Sequence, residues 1–143
     1  MIEKILVPLP VQSSKSGSTA VEMAVELAKA HGAKIILLHV VEEMPAYMSV
    51  HLPADLRKNV TAAAREDMEA VAKAYGLDGK ADIVVREGNP GADILDFAND
   101  NGIDMIVMSS HDPGVADYLL GSVSSRVVRH AHCSVLVVRQ RKN

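Results

Sequence analysis

The chain has 143 residues, 48% of them apolar and 23% charged, with a net charge of −3. That is enough chain for one well-buried core and too apolar a balance for a disordered chain. A slightly acidic sequence with one Phe, three Tyr and no Trp offers nucleic acid neither a basic footprint nor stacking platforms, and no apolar run approaches the ~18 residues of a membrane span.

The opening Met1-Ile2-Glu3-Lys4 has neither the basic flank nor the long apolar core of a signal peptide, so a soluble cytoplasmic protein is expected. Ile5-Leu6-Val7, stopped by Pro8 and Pro10, reads as a first buried parallel strand. After a polar loop, with Ser16 or Ser18 as N-cap, Ala20, Met23, Ala24, Leu27 and Ala28 recur at helical spacing until Gly32. Residues 34–41 form a second buried strand containing His39, which is read as a hydrogen-bonded core residue. Residues 42–53 are read as irregular; Met44 and Met48 are expected to pack against the sheet edge, with a partner surface or a lid as the alternatives. A long Ala-rich helix spans about 54–75 and closes at Gly76. A third strand covers 82–86, and Gly88-Asn89-Pro90 turns the chain into a helix that stops at Gly102. Asp104-Met105-Ile106-Val107-Met108 is a fourth strand, a helix begins near Gly121-Ser122, and the last strand spans 134–139.

Five strands alternating with four helices predict one α/β domain over residues 1–143. Its core is an open five-stranded parallel sheet with helices on both faces. A flavodoxin-like order, 3-2-1-4-5, sets the loops after the first and fourth strands side by side, where ligands bind in such folds.

The chemistry is concentrated in Met108-Ser109-Ser110-His111-Asp112-Pro113-Gly114 and Leu119-Leu120-Gly121-Ser122-Val123-Ser124. A strand feeds a loop, and a Gly-Ser pair opens a helix. The first N–H groups of a helix lack internal partners and carry the positive end of its dipole. Gly121 allows an anion close to the backbone, and Ser122 and Ser124 are read as hydroxyl donors to a phosphate. An ordinary helix cap is the alternative.

Leu119-Leu120-Gly121-Ser122-Val123-Ser124, then Val127-Val128-Arg129-His130-Ala131, Cys133 and Ser134-Val135-Leu136-Val137-Val138-Arg139, resemble the C-terminal signature of the universal stress protein family. Ile5-Leu6-Val7-Pro8, Leu37-Leu38-His39-Val40, Gly88-Asn89-Pro90 and Asp104-Met105-Ile106-Val107-Met108 extend the resemblance along the chain. It implies a dimeric stress-response regulator, not a metabolic enzyme, that binds ATP, ADP or AMP, with or without Mg2+. By the same resemblance adenine lies against Pro8, Leu9 and Pro10 and at Val40 or Val41. Phosphates lie on Ser109, Ser110 and His111, beyond Met108, and on Gly121, Ser122, Val123 and Ser124. The nucleotide-binding members carry two spaced glycines ahead of the Gly-Ser pair; here Ser109 and Asp112 stand in their places, in a loop one residue shorter. They also carry Asp where this chain has Pro10, which offers neither a carboxylate nor an N–H. These departures motivate a second reading, a nucleotide-free dimeric interaction module.

His111 is read as a phosphate contact or proton-transfer group, with a plain loop histidine as the alternative. His130, His132 and Cys133 lack a fourth ligand at zinc spacing, so no metal site is expected. Instead His130 should sit at a helix C-terminus and Cys133 should be buried, its lone thiol fitting a reducing compartment. Val135, Leu136, Val137 and Val138 form a bare apolar strand at the predicted sheet edge. Such an edge invites pairing unless a second copy of the strand covers it. A homodimer is therefore expected, with a further protein partner left unidentified.

Overall fold

In the computed structural model, residues 1–10, 18–110 and 120–139 are described. The strands are β1 (Lys4–Pro8), β2 (Lys34–Glu42), β3 (Asp82–Gly88), β4 (Met105–Ser109) and β5 (Ser134–Val138). They form one parallel sheet, as the alternation of strands and helices predicts, in the expected order β3-β2-β1-β4-β5. Among the described residues the helices are α1 (Ser18–His31), α2 (Ala46–Ser49), α3 (Ala54–Ala74), α4 (Pro90–Asp100) and α5 (Ser122–His130).

The apolar runs are continuous because both faces of the sheet are covered, and the pleat then sorts alternate residues to opposite sides. Ile5, Val7, Ile35, Leu37 and Val107 pack with Ala20, Val21 and Ala24 of α1 and Met68 and Ala72 of α3. Leu6, Ile36, Leu38, Ile106 and Met108 pack with Ile94 and Phe97 of α4 and Val127 of α5. Gly32 (φ 66°) and Gly76 (φ 71°) end α1 and α3 in the left-handed region, where a side chain would be strained. Helix α4 opens on Asn89, whose Oδ1 accepts from the Ala92 N–H at 3.1 Å, with Pro90 as its first residue. At the opposite edge of the sheet, the Asp104 carboxylate accepts from the Glu3 and Lys4 N–H groups at 2.8 and 2.9 Å. These bonds clamp β1 to the start of β4.

Several expectations are corrected. The segment read as irregular contains α2, making five helices rather than four; one turn is too short to show a periodic pattern. Met44 and Met48 do not pack against the sheet edge but are exposed, as are Tyr47 and Val50. Ser18 is the first described residue of α1, and Ser16 lies outside the described residues. Cys133 is half-buried rather than buried. His130 does close α5, with Arg129 beside it in the last turn, where cations complement the helix dipole.

Candidate functional site

Strand lengths create the site. The last β1–β2 pair is Pro8↔Leu38, yet β2 runs on to Glu42, paired with β3 as far as Glu42↔Gly88. At about 3.3 Å per residue, β2 overhangs the end of β1 by about 13 Å. The overhang is one wall of a cleft of about 1150 Å³ at the carboxyl edge of the sheet; the end of β1 is its floor, and α5 starts on the far side. The crevice lies at the switch point, where β1 has β2 on one side and β4 on the other.

Local hydrogen bonds fix that floor. The Leu9 N–H donates to the Leu38 carbonyl at 2.8 Å, carrying the β1 ladder one residue further. The Leu9 carbonyl lies 2.7 Å from His39 Nδ1; a carbonyl only accepts, so Nδ1 carries the proton. His39 is thus hydrogen-bonded as expected, but it is half-buried and borders the cleft instead of lying in the core.

On the far side, Gly121 caps α5 with no side-chain cap bond, and the first intrahelical bond runs from the Ser125 N–H to the Gly121 carbonyl. The N–H groups of Ser122, Val123 and Ser124 have no intrahelical acceptor, and all three residues border the cleft. Of the two hydroxyls expected to meet a ligand, Ser124 is committed elsewhere. Buried at 6% exposure, it donates to the Ser109 carbonyl at 3.1 Å and fastens α5 to the end of β4. Successive helix residues are turned by about 100°, so Ser122, two positions earlier, lies on the other side and is exposed.

Pro8, Leu9, Pro10, Val40, Val41, Met108, Ser109, Gly121, Ser122, Val123 and Ser124 all border this one cleft. Ser110 does not: it is buried, and its N–H donates to the Val138 carbonyl at 3.0 Å, extending the β4–β5 ladder. His111 and Asp112 lie outside the described residues. Sequence reasoning missed the contribution of α3, whose Val60, Ala63, Ala64 and Asp67 line the cleft, together with Glu42, Pro90 and Ile94. Their spacing of three and four is a helical stripe, so the signal was present. Among the described lining residues there are two carboxylates and one imidazole but no Lys or Arg. An anion there would rely on backbone N–H groups, the Ser122 hydroxyl and the helix dipole.

Among the described residues no cluster of three or more His, Cys, Asp or Glu side chains could hold a metal, and no helix is long and apolar enough to cross a membrane. The Cys133 thiol is pushed up from its ordinary pKa by burial.

The universal stress protein family model matches residues 1–139. Universal stress protein G of Shigella flexneri is 33% identical over a 144-residue alignment that covers 97% of this chain and 100% of that protein. The solved structure of universal stress protein UspA from Lactobacillus plantarum is similar at a TM-score of 0.79 and 29% identity, over 96% of this chain and 97% of that one. A universal stress protein solved in complex with cAMP is similar at a TM-score of 0.65 and 26% identity, over 95% of each chain.

Proposed function

The chain belongs to the universal stress protein family, and from that premise we propose that it is a dimeric stress-response regulator that binds an adenine nucleotide in the cleft between β1 and β4. The observation that carries this reading is the meeting of the β1 floor, the β2 wall and the opening turn of α5 around one crevice. At about 1150 Å³ the crevice is slightly larger than the roughly 300–1,000 Å³ usual for ligand pockets, which leaves room for a nucleotide. The base would lie along Leu9, Pro10 and Val41, and the phosphate would meet the N–H groups of Ser122 and Val123. A related structure holding cAMP supports a nucleotide as the ligand class. Protein freshly purified from the cytoplasm and then denatured should release ATP, ADP or AMP, identified by mass spectrometry. Titration of emptied protein with each nucleotide, with and without Mg2+, should show saturable binding. Absence of both sinks the reading.

Dimerisation belongs to the same proposal. β5 is the sheet edge in the strand order, and Val135, Leu136 and Val137 are only half-buried in the single chain. A twofold-related β5 would cover them. Light scattering should give twice the chain mass for the wild type and a monomer for Val137→Lys. The protein acts by binding and by handing nucleotide state to a protein partner, with any hydrolysis slow.

The second reading is a nucleotide-free interaction module, favoured by Pro10 at the base end and by the lack of Lys or Arg among the described lining residues. An empty site on purification and flat titrations at millimolar nucleotide would select it.

A further inference from the structure

Among its described lining residues the cleft is electrically lopsided. Its α5 side presents the positive end of a helix, whose first N–H groups have no intrahelical acceptor. The opposite side, built from the overhanging end of β2 and the first two-thirds of α3, carries Glu42 and Asp67. Both are exposed, and they come from separate elements. Resting on the nucleotide reading above, we propose that Glu42 and Asp67 act as a charge filter. The cleft then takes an adenine nucleotide with a single phosphate, AMP or cyclic AMP, in preference to a metal-free triphosphate.

The separation of the charges sets the size of the effect. β2 and β4 flank β1, two strand spacings apart, or about 10 Å. Taking about that separation between a phosphate at α5 and the two carboxylates gives the order of magnitude. Two carboxylates acting across water on the two additional charges of ATP relative to AMP amount to roughly fifteenfold in affinity unscreened. At 0.1 M salt, where the Debye length is about 10 Å, this falls to about threefold. The helix dipole, equivalent to about half a charge, attracts the first phosphate, and no Lys or Arg among the described lining residues meets the rest of a triphosphate's charge. A divalent cation on the phosphates removes the penalty.

Isothermal titration on wild type, Glu42→Gln, Asp67→Asn and the double variant tests this, with adenosine, AMP, cyclic AMP, ATP in EDTA and ATP with Mg2+ as ligands. Both side chains are exposed, so the variants should fold. In the wild type at low salt, AMP and cyclic AMP should bind about tenfold tighter than metal-free ATP; salt, Mg2+ or the double variant should each collapse that ratio. Adenosine, being uncharged, should bind all four proteins alike. Metal-free ATP binding the wild type as tightly as AMP, or an unchanged ratio in the double variant, overturns the filter. So does loss of adenosine binding in the variants, which would make the carboxylates contacts rather than remote charges. If no adenine compound binds any of the proteins, the nucleotide reading itself fails, and the filter with it.

Discussion

Replacing Ser124 with alanine separates anchoring from ligand contact at the mouth of α5. Its hydroxyl is buried and joins the helix's first turn to the Ser109 carbonyl at the end of β4. A net intramolecular hydrogen bond contributes about 0.5–1.5 kcal/mol. Alanine keeps the Cβ and removes only the oxygen, so little cavity cost is added. Ser124→Ala should therefore lose about 1 kcal/mol, lowering Tm by about 3 °C and, for an m-value of about 2 kcal/mol/M, the urea midpoint by about 0.5 M. Ser122→Ala is the matched control: exposed, and expected within about 0.5 kcal/mol of wild type. Urea unfolding of the three proteins, followed by circular dichroism, reads the difference, and nucleotide titration should reverse the order of sensitivity. There Ser122→Ala weakens binding at unchanged stability. A Ser124→Ala protein as stable as wild type, or a Ser122→Ala protein that loses as much, would refute the assignment of one serine to the scaffold and the other to the ligand.

The remaining predictions concern stability and reactivity. Asn89→Ala removes the α4 cap, in which Oδ1 accepts from the Ala92 N–H, and should lose about 1 kcal/mol, whereas Asn89→Gly should lose only a few tenths; equal losses in thermal melts would contradict the capping role. The Glu3 and Lys4 N–H groups hold the Asp104 carboxyl below its ordinary value. A pKa lowered by folding contributes stability above the unfolded value of about 3.9 and loses it as pH falls through the folded value. The urea midpoint of Asp104→Asn should accordingly trail wild type at pH 6, and the gap should narrow as pH falls below about 4; a constant gap removes the carboxylate from the explanation. Cys133, half-buried with its thiol pKa raised, should react with a disulfide reagent at pH 8 more slowly than free cysteine, and at the free rate in urea; full native reactivity counts against its packing.

The layering was legible because each apolar run is continuous where it is buried on both faces and stops at proline, glycine or a charge. Parallel crossovers then leave few strand orders open. One half of the cleft was legible for a related reason. Gly121-Ser122 and Pro8-Leu9-Pro10 lie at strand ends and at the start of a helix, where local chemistry marks a turn. The choice between two serines was not local. Ser122 and Ser124 have the same side chain, and only the rotation of α5 against β4 turns one inward. Nor could α2 be found, since a four-residue turn leaves no periodic trace.

The wall contributed by α3 is the instructive omission. A helix that crosses from β2 to the parallel β3 must run back against the strand direction, so its first turns necessarily sit at the carboxyl edge. β2 outlasts β1 at that edge, and α3 has 21 residues, about 31 Å of helix. Its later turns, with Met68 and Ala72, cover the sheet, while Val60 and Ala63 stand over the cleft. One apolar stripe therefore serves two purposes, core toward its C-terminus and cleft toward its N-terminus, and composition does not mark the change. Topology does: once the strand order is accepted, the inward stripe of α3's early turns belongs beside the ligand. Asp67, at the boundary between the two uses, is where a carboxylate can face the cleft without being buried in the core.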